Sequence, residues 1–217
     1  MKQLYIICEG PTERDFCKEL LRDFFLDKGI VLQAILIQKS NGGIVPWHSL
    51  KKQIETCLKF KEAWVTTFID YYGIPDRYDF PAWDEAKKIK DLYERMAFLQ
   101  EQMKQDVPDT TRWRFIPYLQ LHEFEALLFH TIDIFDDNFK PEEFRSRDEL
   151  VAIFSRFSNP EYINGGKDTA PSKRLEKIIK GYKKPLYGVD LASEIGLDNI
   201  RKNCKGFDSW IKQLVTL

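Results

Sequence analysis

Apolar and polar positions alternate between two textures along this chain. Nearly unbroken apolar runs occur at residues 3–8 (QLYIIC), 30–38 (IVLQAILIQ) and 62–70 (EAWVTTFID), each bounded by polar or glycine-containing turns. Short runs of this kind, rich in β-branched and aromatic residues, predict strands buried on both faces. Between the first two, Phe16, Leu20, Leu21 and Phe24 recur at helical spacing and predict a helix over about 13–27, ended by Gly29. Thr12 is suited to cap that helix, and Asp15 completes a variant capping box. "WHSLKKQIETCLKF" predicts a second helix. Residues 84–104 predict a long, highly charged one with a thin stripe of Ile89, Leu92, Met96 and Leu99. "RWRFIPYLQL" predicts a fourth strand, followed at once by "HEFEALLF" as a helix, while "KSNGGIVP" and "YYGIPDRYDFPAW" read as loops.

Strands alternating with helices of this length predict βαβ units. The expected fold class is therefore α/β, with a mostly parallel sheet of about four strands flanked by helices. After about residue 140 the pattern turns helical, punctuated by Pro141, Ser146, Pro160, Pro171, Pro185 and Gly196. The expected organisation is an α/β core over 1–135 and a helical extension over 136–217, packed on the core as one compact unit. "KGFDSWIKQL" predicts a final helix that docks through Phe207, Trp210 and Leu214.

Composition narrows the picture. The 217 residues are 43% hydrophobic, and 33 basic against 34 acidic side chains leave a net charge of −1. A broadly basic nucleic-acid coat is excluded, but a local basic patch is not. Cys8, Cys17, Cys57 and Cys204 form no CxxC pair, which argues against a zinc knuckle and for reduced, buried thiols. The first apolar run meets Glu9 too soon for a signal peptide, and no stretch has the roughly 18 apolar residues that span a bilayer. A soluble, cytoplasmic protein is expected.

Two acids change the picture more. Glu9 and Asp70 are each the first acid after an apolar strand, and in an open α/β sheet ligands bind outside the carboxyl ends of the strands. Either each acid solvates a loop, or the two converge as hard oxygen ligands for Mg²⁺ or Mn²⁺.

The set "CEGPTERDF", "FIDYYGIP", "FIPYLQLHEFEALLF" and "TAPSKRL", running from residue 8 to 175, resembles a bacterial Toprim-like family of unknown function. That family is related to the Toprim domains of topoisomerases, DnaG-type primases and overcoming-lysogenisation-defect nucleases, and its members are often encoded beside RecF- or SMC-like ATPases. The resemblance implies a Toprim-like core, Mg²⁺ or Mn²⁺, and nucleic acid, DNA or RNA, as the partner. Glu9 matches the Toprim glutamate and Asp70 the first aspartate of its DxD motif, but Tyr72 stands at the second. Tyr71 and Tyr72 then become candidates to stack on a base or sugar, the alternative being packed loop aromatics, and Thr12 a candidate substrate contact.

"LHEFEALLF" follows the fourth strand directly, so Glu123 or Glu125 is a candidate to complete an acidic metal cluster, with His122 as ligand or proton shuttle. As acids at a helix start, Glu123 and Glu125 also have a purely structural explanation. "NGGKDTAPSKRL" does not match a P-loop. Lys173 and Arg174 in the first turn of a helix oppose its dipole, which an anion bound at the N-terminus would offset. Phosphate contact by Ser172, Lys173 and Lys167 is therefore expected, the alternative being a capped surface helix. The resulting expectation is a Mg²⁺-dependent nuclease in a defence or repair system, with Lys173 neutralising developing charge. The alternative is a non-catalytic partner of a RecF/SMC-like ATPase.

Overall fold

Each of the three long apolar runs becomes a parallel strand. The computed structural model of the chain describes residues 1–38, 40, 43–163 and 167–217. These strands are β1 (Lys2–Cys8), β2 (Ile30–Leu36) and β3 (Ala63–Asp70), with β1 in the middle. Cys8 stands in register with Leu36 on one side and Phe68 on the other. Leu4, Ile6, Ile7, Val65, Phe68 and Ile69 are fully buried, as strands covered on both faces require. Each such side chain contributes about 1.5–3 kcal/mol relative to exposure. The fold is α/β with a mostly parallel sheet flanked by helices, consistent with a Toprim-like arrangement.

The predicted fourth strand is two short ones, β4 (Phe115–Ile116) and β5 (Leu119–Gln120), both parallel to β3. Pro117 between them has no N–H to donate and breaks the ladder. The buried Thr67 bridges the gap, because its hydroxyl donates to the Tyr118 carbonyl (2.8 Å) and accepts from the Tyr118 N–H (2.9 Å).

The first helical segment runs as α1 (Pro11–Phe16), a π-helical turn (Cys17–Leu21) and α2 (Arg22–Leu26). It starts earlier than expected because Pro11 occupies its first position, where a fixed φ and a missing N–H cost nothing. Gly10, not Thr12, is the N-cap, and the Glu13 carboxylate accepts the Gly10 N–H at 2.9 Å. Asp15 instead pairs with Arg14 and Lys18.

Helix α3 (Trp47–Leu58) packs on β3. The long charged helix expected at 84–104 is two helices, α4 (Trp83–Lys88) and α5 (Leu92–Gln105). Asp91 breaks it: its side chain accepts the Glu94 N–H and caps α5. Within the predicted loop at 39–46, Lys39, Asn41 and Gly42 lie outside the described residues.

The chain forms two compact units, Met1–Leu121 with Trp210–Leu217, and His122–Ser209. The division thus falls at Leu121 rather than near residue 135, and the last residues return to the first unit. Trp210 shows why: its indole N–H donates to Thr66 (2.8 Å) and its ring stacks on Tyr118 at 4.4 Å.

The second unit holds α6 (Asp133–Asn138), α7 (Arg147–Arg156), α8 (Pro171–Ile178), α9 (Lys184–Ile195), α10 (Leu197–Asn203) and the start of α11 (Lys205–Val215). Phe124, Leu128, Phe135, Leu150, Leu175 and Ile178 are fully buried within it. "HEFEALLF" is a 3-10 turn (Phe124–Leu128) rather than an α-helix, entered through His122 with φ of +69°.

Candidate functional site

The strand order β2-β1-β3-β4 fixes where a site can form. From β1 the chain crosses to β2 on one side, whereas from β3 it crosses to β4 on the other. Right-handed crossovers then put the connecting helices on opposite faces, and the loops after β1 and β3 diverge. Glu9 follows β1 and Asp70 ends β3, so both stand at this switch point.

There the two acids meet. Oε2 of Glu9 accepts the Asp70 backbone N–H at 3.0 Å, while the Glu9 N–H donates to the Phe68 carbonyl at 3.1 Å. Asp70 is only 7% exposed. The backbone of β3 therefore orients the Glu9 carboxylate, and the loop Tyr71–Gly73 closes beside it. A Cβ on Gly73 would sit 3.6 Å from Oε1 of Glu9, an ordinary contact, so glycine is not forced there by space.

The other first-unit candidates have structural partners. Tyr71 donates its N–H to the Gln120 carbonyl, its hydroxyl accepts from Arg95 (3.1 Å), and its ring packs on Trp83 at 5.5 Å. Tyr72 is 37% exposed. Thr12 is buried in the first turn of α1, away from solvent, which does not suit a substrate contact. Asp79 and Ala82, farther along the same loop, both have φ of +52°. For alanine that left-handed conformation stores on the order of 1 kcal/mol.

In the second unit the motifs "LHEFEALLF" and "TAPSKRL" come together. Oε2 of Glu123 accepts the Ser172 N–H at 3.1 Å, at the N-terminus of α8. The anion that the cation-rich first turn called for is thus supplied by the chain itself. Ser172 is buried. Lys173 is exposed and paired with Glu176 at 2.7 Å. Arg174 donates to the Thr169 carbonyl and lies over the Phe157 ring. Asn164, Gly165 and Gly166, and the side chain of Lys167, lie outside the described residues.

Glu125 is wholly buried. Lys184 Nζ lies 3.1 Å from its Oε2, close enough for an ion pair but not aligned as a hydrogen bond. The nearby Tyr182 hydroxyl is buried without a hydrogen-bond partner among the described residues. Burial pushes the Glu125 carboxyl up to about 7, with Lys184 pulling it down and Glu123 pushing it further up. Burial, then the charge of Glu125, also raises the Tyr182 phenol.

Sequence reasoning singled out Glu9, Asp70, Glu123 and Glu125 as candidates but not the residues that contact them. Glu13 was legible as a capping-box glutamate two residues after Pro11. Lys184 and Tyr182 lie far from Glu125 in sequence and carried no local signal. Glu161, also fully buried, caps α11 by accepting the Gly206 and Phe207 N–H groups at 2.8 and 3.1 Å. Among the described residues no group of three or more His, Cys, Asp or Glu side chains is placed to hold a metal ion, and no helix is long and apolar enough to cross a membrane.

Fold and site together define an α/β protein with two carboxylates at the switch point of a parallel sheet. The chain belongs to the family described as "Domain of unknown function (DUF4276)", which matches residues 8–215. No curated protein and no solved structure matches it.

Proposed function

We propose that this protein is a Toprim-like, divalent-metal-dependent enzyme that cleaves phosphodiester bonds in nucleic acid, with Glu9 and Asp70 as its metal-binding carboxylates. The observation that carries this reading is the 3.0 Å hydrogen bond that sets Glu9 beside Asp70 at the switch point. The donor set fits Mg²⁺ or Mn²⁺, because Mg²⁺ is usually bound by one or two carboxylates together with waters and substrate phosphates. When bound, the metal polarises a phosphoryl oxygen and lowers the pKa of a coordinated water.

The chain's own residues hold this arrangement still. The Asp70 N–H fixes the rotamer of Glu9, and Arg95 and Trp83 hold Tyr71. Tyr72, the exposed neighbour, offers a stacking face to a base. Glu123 and Glu125 are left out of this centre, because one caps α8 and the other is buried against Lys184. Four free, buried cysteines accord with a reducing, cytoplasmic setting.

The test is cleavage of single- and double-stranded DNA and RNA with Mg²⁺ or Mn²⁺, comparing wild type with Glu9→Gln. Gln keeps an acceptor for the Asp70 N–H but removes the charge. Equal cleavage by the two proteins would remove Glu9 from the chemistry and sink this reading.

A second reading, a non-catalytic partner of a RecF/SMC-like ATPase in defence or repair, is favoured by Tyr72. Its phenol stands where the motif places a second carboxylate, and one metal ligand is lost with it. That reading predicts no Mg²⁺ heat signal in calorimetry and no cleavage of any substrate.

A further inference from the structure

The opposite edge of the same sheet carries a different chemistry. In a parallel sheet, the residues that precede every strand gather at one edge. Phe60 lies just before β3 and Trp113 just before β4, and they are 54% and 58% exposed. Neither ring is loose. Phe60 stacks on Tyr5 at 5.7 Å with an interplanar angle of 17°, and Trp113 meets Trp64 edge-on at 5.4 Å. Arg114 ties the two loops together. Its guanidinium donates to the carbonyls of Leu58, Phe60 and Ala63 and lies 5.5 Å from the Trp113 ring.

Cations neighbour both rings in sequence. Lys59 and Lys61 flank Phe60, Arg112 and Arg114 flank Trp113, and Lys2 and Lys28 stand at the starts of β1 and β2. Acids of the segments before these strands include Asp27, Glu62, Asp106 and Asp109, of which Asp106 is paired with Lys51 and Asp109 with Arg112. Lys2, Lys59 and Lys61 are exposed and outside every ion pair among the described residues. A chain of net charge −1 thus gathers lysines and arginines in the same segments as two exposed, braced aromatic rings.

We propose that this edge binds single-stranded nucleic acid, with Phe60 and Trp113 stacking on bases and Lys59 and Lys61 contacting phosphates. Flat rings braced against other rings, with cations beside them, match a polymer that is flat and apolar on its bases and anionic along its backbone. The eight-residue strand β3, which ends on Asp70, runs between this edge and the carboxylate site. At about 3.3 Å per residue the two are roughly 25 Å apart, so this is a second contact and not part of the carboxylate site. The inference rests on the proposed function for its ligand class alone.

The experiment titrates a fluorescently labelled oligothymidylate of about a dozen nucleotides with the full chain in EDTA, reading anisotropy. Binding is expected to weaken with salt, and Phe60→Ala or Trp113→Ala to weaken it roughly tenfold each. The double variant Lys59→Ala/Lys61→Ala should make the logarithmic salt dependence shallower by about 1.4. Both rings and both lysines are exposed, so these variants should fold, and circular dichroism checks it. Glu9→Gln should bind like wild type, so cleavage left unchanged by Glu9→Gln with binding intact would count against the enzyme reading alone. The proposal is overturned by no binding, by variants that bind like wild type, by Glu9→Gln losing the binding, or by preference for phosphatidylserine vesicles over the oligonucleotide.

Discussion

Glu9 follows the apolar strand β1 and Glu125 sits inside the apolar turn Phe124–Leu128, and the protein treats the two glutamates in opposite ways. Glu9 is only half-buried and is oriented by a backbone N–H. Glu125 is wholly buried, its charge faced by a lysine at 3.1 Å without an aligned hydrogen bond. A carboxylate oriented by the backbone at a half-buried strand rim is equipped to bind a cation. One pushed towards neutrality inside a helical unit is equipped to bind a proton. Position relative to the strand ends, more than residue type, separates the two.

The largest expected effect tests the rim. Glu9→Gln should lower metal-dependent cleavage at least about a hundredfold, since the metal supplies several kcal/mol of transition-state stabilisation. Its melting temperature should stay within about 3 °C of wild type, because Gln still accepts the Asp70 N–H. A large drop in melting temperature would instead make Glu9 a structural residue, much as Glu125 is.

Lys184→Met should come next. Removing one partner of a buried pair leaves the other uncompensated, a loss of about 3–5 kcal/mol where Glu125 would be ionised. Urea denaturation at pH 8 should show that loss, and at pH 5 the loss should shrink as Glu125 takes up a proton. Equal losses at both pH values would mean that Lys184 acts by packing alone.

The pH profile of the wild type sharpens the same point. The folded-state value of Glu125, about 7, lies above the ordinary 4.5. Between those values the folded state holds a proton that the unfolded state has lost, so stability falls as pH rises from about 4.5 to about 7. The full drop is on the order of 3 kcal/mol. Lys184, Lys173, Glu123 and Glu176 are the charged groups whose fields reach this cluster. Glu125→Gln should flatten the profile. A slope unchanged in Glu125→Gln would assign the titration to another group.

What the sequence reveals follows from range. The strands and the rim acids were legible because a parallel sheet converts apolar runs and the first acid after each run directly into position. The split of α4 from α5 was also present locally, in Asp91 followed three residues later by Glu94, but the apolar stripe across it looked continuous. The break between β4 and β5 depends on Pro117, which a run such as "FIPYLQL" hides among apolar neighbours. The pairing of Glu125 with Lys184, and the capping of α8 by Glu123, join residues 59 and 49 positions apart. No local period records such contacts.

The smallest expected effect concerns that cap. Sequence alone asked for an anion at the N-terminus of α8 and expected a phosphate; the structure places Glu123 there. Glu123→Ala should cost about 1 kcal/mol, the usual worth of a helix cap together with its charge-dipole attraction. It should also bare the Ser172 N–H beside Lys173. Sulfate should then stabilise Glu123→Ala more than it stabilises wild type, the difference removing its general excluded-solute effect. Chloride at matched ionic strength serves as the control. An equal gain in both proteins would mean that the freed helix end does not bind an anion. A gain in wild type as large as in a Lys173→Ala variant would show that the lysine is merely solvated, leaving Glu123 as the only anion this helix needs.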